Sequence, residues 1–168
     1  MKGIDYMLLV ECKPDRTLAI SLSSISLKKV EHAGNKAGVL KKLTENYENS
    51  IGIIDEDPSS TQPPDLRKFT EIEYLESKDI RILHHERLNN RLLILCPRLE
   101  EWIVKAAREA QIGLRDYHLP DNPVALHETI NISIDRFEEL LRELVQRSSR
   151  VKELQRLLRT SARRRSPR

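Results

Sequence analysis

Ser50-Ile51-Gly52-Ile53-Ile54-Asp55-Glu56-Asp57 is an aliphatic run that ends in acid. A short, unbroken apolar run reads as a strand buried on both faces, the pattern of a parallel sheet covered by helices. Tyr6-Met7-Leu8-Leu9-Val10-Glu11 is a second run of this kind and also closes on a carboxylate. Open parallel sheets bind ligands at the carboxyl ends of their strands, so the two runs predict that Glu11 and Asp55 meet at one sheet edge. In an extended chain, side chains two apart point the same way, so Asp57 is expected to join Asp55 there.

The rest of the chain supplies helices and further strands. Lys13-Pro14-Asp15 opens a predicted helix reaching about Ser23, residues 25–30 form a more polar strand, and Asn35 is the predicted N-cap of a helix ending near Asn46. The polar, proline-rich residues 56–65 read as a loop. Residues 80–84 and 91–96 read as two more strands around a turn at 88–90, and residues 99–110 as a helix carrying Trp102, Ile103 and Ala106 on one side. Such alternation predicts an α/β fold with a mostly parallel sheet flanked by helices. Beyond it, Phe137, Leu144, Val151 and Leu158 recur every seven residues, with Leu140 and Leu154 between them and Arg147 interrupting. This stripe covers the domain's own elements or pairs with a second chain as a homodimer. The expected organisation is an α/β domain over 1–132, a C-terminal helical extension over 133–160 packed on it or on a partner, and a basic disordered tail over 161–168.

Composition narrows the function classes. A chain of 168 residues, 39% hydrophobic and 33% charged, is long enough for one real core and does not have the make-up of a disordered protein. Aromatic residues are only 4%, which argues against a base-stacking platform for single strands. Residues 142–168 hold ten basic and two acidic side chains, so a mildly acidic body precedes a basic tail. That tail is either a solvent-facing charged segment or a salt-sensitive contact to nucleic acid. Cys12 and Cys96 lie in or beside apolar runs and read as reduced thiols in a cytoplasmic protein. The apolar stretch near the start is too short for a signal peptide and no run reaches bilayer length, so no membrane partner is expected.

Three carboxylates, Glu11, Asp55 and Asp57, make a hard oxygen ligand set suited to Mg2+ or Mn2+. Magnesium keeps several waters and completes its shell with phosphate oxygens, which points to phosphate chemistry. The order of motifs, Leu8-Leu9-Val10-Glu11, then Gly34-Asn35-Lys36, then Ile53-Ile54-Asp55-Glu56-Asp57, resembles the Toprim domain over roughly residues 6–96. That domain occurs in topoisomerases, bacterial primases, recombination-repair proteins, small stand-alone proteins and nucleases of the overcoming-lysogenization-defect type. Asp15, four after Glu11, resembles the acid that follows the Toprim glutamate.

The resemblance implies a Toprim-like, Rossmann-like sheet and a metal-dependent nuclease acting on DNA or RNA. Glu11 would be general acid/base or metal ligand, Asp55 and Asp57 metal ligands, and Lys36 a catalytic neighbour reaching a phosphate. Cys12 stands where the family usually has glycine, and Ser59 where many members carry a third aspartate. The alternative is a non-catalytic subunit that binds nucleic acid or regulates an ATPase partner, because the chain has no G-x-x-x-x-G-K-[ST] loop of its own. A more remote implication is a primase-like nucleotidyl transferase.

Other polar residues carry weaker signals. Glu100 and Glu101 suit the first turn of a helix, worth about 0.3–1 kcal/mol each; the resemblance offers a second metal site as their other reading. His84 and His85 point to opposite faces of a strand, and His32 lies near the glycine-lysine loop. His118 and His127 have no partner at ligand spacing and read as structural, and Ser59 and Ser60 lack an activating base.

Overall fold

The computed structural model describes residues 6–163, with side chains to residue 160, so the expected tail lies outside the described residues apart from the backbone of 161–163. Six strands, β1 (Leu8–Val10), β2 (Val30–His32), β3 (Ile51–Asp55), β4 (Thr70–Leu75), β5 (Ile80–His85) and β6 (Asn90–Leu95), form one sheet in the order β2-β1-β3-β6-β5-β4. The first four in that order run parallel, whereas β5 and β4 are antiparallel to their neighbours. The helices are α1 (Lys13–Leu22), α2 (Lys36–Glu45), α3 (Leu99–Glu109), α4 (Pro123–Ile132), α5 (Ile134–Arg147) and α6 (Ser149–Arg163). The architecture is α/β with a mostly parallel mixed sheet flanked by helices, consistent with a Rossmann-like fold.

Alternation along the strands divides the core in two. Leu8, Val10, Ile51, Ile53, Ile82 and Leu93 face one side, where α1, α3, α4, α5 and α6 contribute residues to the larger cluster. Leu9, Ile54, Leu83, Leu92 and Ile94 face the other side, under Val39, Leu40 and Leu43 of α2 and under Phe69. The seven-residue stripe belongs to the larger cluster: Phe137, Leu140, Leu144, Val151, Leu154 and Leu158 are fully buried. It is split between α5, which packs on α1, and α6, with Ser148 marking the break. Cys12 and Cys96 are free thiols, the second buried. Among the described residues no helix is long and apolar enough to cross a membrane.

Two strands differ from the sequence reading. The second strand occupies Val30–His32 rather than 25–30, and Leu27–Lys29 form a 3-10 turn. On this side the three residues of β1 pair with Val30, Glu31 and His32, and the preceding turn removes Leu27–Lys29 from the sheet. β4, Thr-Glu-Ile-Glu-Tyr-Leu, is a strand that no apolar run announces, an edge strand that leaves Ile72 and Tyr74 exposed. Its glutamates are the charges by which edge strands resist pairing with other chains.

Gly52 lets α2 lie close on β3. A Cβ there would stand 2.7 Å from Leu43 Cδ1 and 2.9 Å from Val39 Cγ1. Gly52→Ala is expected to destabilise the chain by about 1–3 kcal/mol, the usual effect of an extra carbon in a packed core. Urea denaturation checks this, and an unchanged midpoint would show that α2 shifts freely.

Candidate functional site

Parallel pairing of β1 with β3, Val10 opposite Ile53, brings Glu11 level with the end of β3. The Asp55 backbone N–H donates to Glu11 Oε2 at 2.7 Å. The Asp55 carboxylate, last in β3, accepts the N–H of Leu99 at 3.0 Å, so it stands at the N-terminus of α3. Asp15 comes from the first turn of α1, whose N-cap Cys12 donates its thiol proton to Asp15 Oδ2 at 2.9 Å. Asp15 is only 2% exposed, and its Oδ1 is buried with no hydrogen-bond partner. The positive ends of two helix dipoles therefore face the same group of acids.

Electrostatics record how crowded these acids are. Asp55 is pushed well above the ordinary aspartate value, first by burial and then by Asp15, Glu11 and Glu100; the Leu99 N–H opposes this. Burial also raises Asp15, with Glu11 and Glu100 adding to it and the Cys12 thiol opposing. Glu11 is raised by burial, against the pull of the Asp55 N–H and Lys36, with Asp57 and Glu100 adding further repulsion. Burial pushes the Cys12 thiol up too, so it is not an activated nucleophile. A buried group of like charges is satisfied either by protons or by a cation.

Asp57 departs from the expectation of an extended Asp-x-Asp. β3 ends at Asp55, and Asp57 adopts φ +42°, donating its N–H to Pro97 O at 2.8 Å and opening a turn to Ser60. Its half-exposed carboxylate lies 3.6 Å from Arg98. The period-two rule fails because the chain leaves the strand ahead of Pro58. Among the described residues, no three His, Cys, Asp or Glu side chains form a ready metal-ligand set. Glu11, Asp15 and Asp55 are the acids gathered most closely, and Asp57 stands at their margin.

Lys36, the first residue of α2, is buried and donates to the Glu56 carbonyl at 2.8 Å and to Gln62 Oε1 at 3.0 Å. It tethers the 56–62 segment beside Glu11. Asn35 caps α2 by accepting the Gly38 N–H at 2.7 Å, and Gly34 takes the φ of +92° that turns the chain into that helix. Ser59 is exposed in the loop. His84 pairs with Asn89, while His85 accepts the Leu88 N–H and packs edge-on to Phe69, so both have structural partners.

A pair that sequence spacing does not reveal lies next to this group. Glu100, buried in the first turn of α3, meets His127 Nδ1 of α4 at 2.7 Å. The two line a cavity of about 300 Å³ with Arg98, Glu101 and Val124. Arg98 also stands 3.4 Å from Glu101, whose Oε2 is buried without a partner. Arg98 lines the cavity and also stands 3.6 Å from Asp57, and Glu100 follows Leu99, whose N–H binds Asp55. In comparisons with known proteins, no family model matches the chain, and neither a curated protein nor a solved structure matches it.

Proposed function

We propose that this chain is a Toprim-like, divalent-cation-dependent enzyme of phosphodiester chemistry, a small nuclease acting on nucleic acid. One observation carries the reading: buried Asp15, with an oxygen lacking any donor, faces Glu11 and Asp55 where two parallel strands and two helix N-termini converge. Oxygen donors of this kind suit Mg2+ or Mn2+: Asp15 and Asp55 would hold the ion, with Glu11 at its edge and Asp57 joining by turning from Arg98. When bound, the ion would polarise a phosphate oxygen and lower the pKa of a bound water. Glu11, whose carboxyl is raised by burial and held in place by the Asp55 N–H, would accept a proton from that water. Asp55, anchored by the Leu99 N–H, keeps the strand end and α3 in register.

A second reading is favoured by the placement of Asp57 beside Arg98. In it, the chain is a non-catalytic nucleic-acid-binding or regulatory subunit of an ATPase-containing complex. Incubation of the purified chain with labelled single-stranded DNA, double-stranded DNA and RNA in Mg2+ or Mn2+ separates the two. The first reading expects cleavage that EDTA stops, together with calorimetric heat on titrating either ion. Absence of both cleavage and heat at millimolar ion overturns it.

A further inference from the structure

We propose that His127, oriented by Glu100, is a catalytic proton donor to the leaving oxygen of the scissile phosphodiester; this rests on the phosphodiester reading above. The geometry is that of a carboxylate-imidazole pair. Glu100 is buried and holds Nδ1 at 2.7 Å, which fixes the ring and leaves Nε2 as the free nitrogen. The imidazole itself is largely exposed within the cavity, where a substrate group can reach it. Glu101, Arg98 and Glu128 are the other charged groups lining that cavity, and Val124 and Pro123 supply its apolar side.

Position relates the pair to the reacting phosphate. Glu100 directly follows Leu99, whose N–H binds Asp55 at 3.0 Å, and Arg98 reaches from the cavity wall to within 3.6 Å of Asp57. In this proposal a phosphodiester held at the acid cluster extends one of its two ester arms past Arg98 into the cavity. The step balances as a hydrolysis. Water forms the new P–O bond and gives one proton to Glu11. The bond from phosphorus to the leaving oxygen breaks, and that oxygen takes the Nε2 proton of the imidazolium. Solvent then returns a proton to His127 and takes one from Glu11. Glu100 touches no reacting atom and is a positioning residue.

Bridging-sulfur substrates test the assignment, because a thiolate leaves without being protonated. The full-length chain in Mn2+ is given an oligonucleotide with ordinary ester oxygens and two analogues with sulfur in the 3′ or the 5′ bridging position. His127→Asn, at an exposed position, is expected to cut the oxygen substrate about 10²–10⁴-fold more slowly. It should cut the analogue whose sulfur is the leaving atom at close to the wild-type rate. Glu100→Gln is expected to show a smaller loss with the same rescue. Equal losses on oxygen and sulfur substrates, or no loss on oxygen, would overturn the role of His127 while leaving the nuclease reading in place. A wild-type chain that cuts none of the three sinks both.

Discussion

Replacing Asp55 by Asn will stabilise the cation-free chain and, under the proposed nuclease function, lower metal-dependent cleavage by about 10³-fold or more. The two effects share one cause. Asp55 lies among Glu11, Asp15 and Glu100 in a buried setting that disfavours its ionised form. An unfolded aspartate ionises near about 3.9, so between that value and the raised native one the folded chain keeps a proton that the unfolded chain has released. Wild-type stability therefore falls as pH rises through this interval. An Asn side chain still accepts the Leu99 N–H and brings no charge, so the variant should gain about 1–3 kcal/mol at pH 8 and show a flatter pH profile. Magnesium should recover the lost stability of the wild type and leave the variant unmoved. Urea titrations at pH 6 and pH 8, each with and without the ion, check every part of this. An Asp55→Asn chain that is less stable than wild type at pH 8 would show that Asp55 is a structural cap and not a strained ligand.

Burial also decides which parts of the molecule are legible in advance. β1, β3, β5 and β6 are strands because continuous aliphatic runs have nowhere to go but a covered sheet, and Glu11 and Asp55 follow as their final acids. β4 escapes because an edge strand needs no apolar face, and its glutamates look like loop or helix surface. Asp57 is misplaced by assuming an extended chain where Asp57 itself takes a left-handed turn. Asp15 is marked by the Toprim resemblance, but its burial depends on α1 folding over the end of the sheet. Glu100 and His127 are 27 residues apart on different helices, and no spacing rule joins such a pair.

Arg150 presents the same problem in its sharpest form, since nothing in a basic segment distinguishes it from its neighbours; its removal is expected to cost about 3–5 kcal/mol. The side chain is 1% exposed. Nε and one terminal nitrogen grip both Glu109 oxygens at 2.8 and 3.1 Å, the other terminal nitrogen donates to Asp79 at 2.7 Å, and the Ser77 carbonyl takes a further bond at 3.3 Å. These partners lie 41, 71 and 73 residues away, so one guanidinium joins α6 to the end of α3 and to the turn between β4 and β5. Because α3 presents Leu99 and Glu100 to the site from its other end, the network also sets the helix on which the acids depend.

Arg150→Ala leaves Asp79 with Lys105 as its remaining ion-pair partner and opens a gap where the guanidinium lay, and the expected fall in melting temperature is roughly 10 °C. Arg150→Lys, which keeps the charge without the two-pronged geometry, should fall between. Acid should act in the same direction. Glu109 is lowered by its bonds to Arg150, and Asp79 is lowered by Lys105 and Arg150 in spite of its burial. Their contribution is therefore present above the ordinary carboxylate range and disappears as pH falls through their native values. Double-mutant cycles pairing Arg150→Ala with Glu109→Gln measure the coupling directly. Additive losses, or an Arg150→Ala chain that melts within about 1 °C of wild type, would mean that α6 is held by its leucines alone and that the buried arginine is incidental.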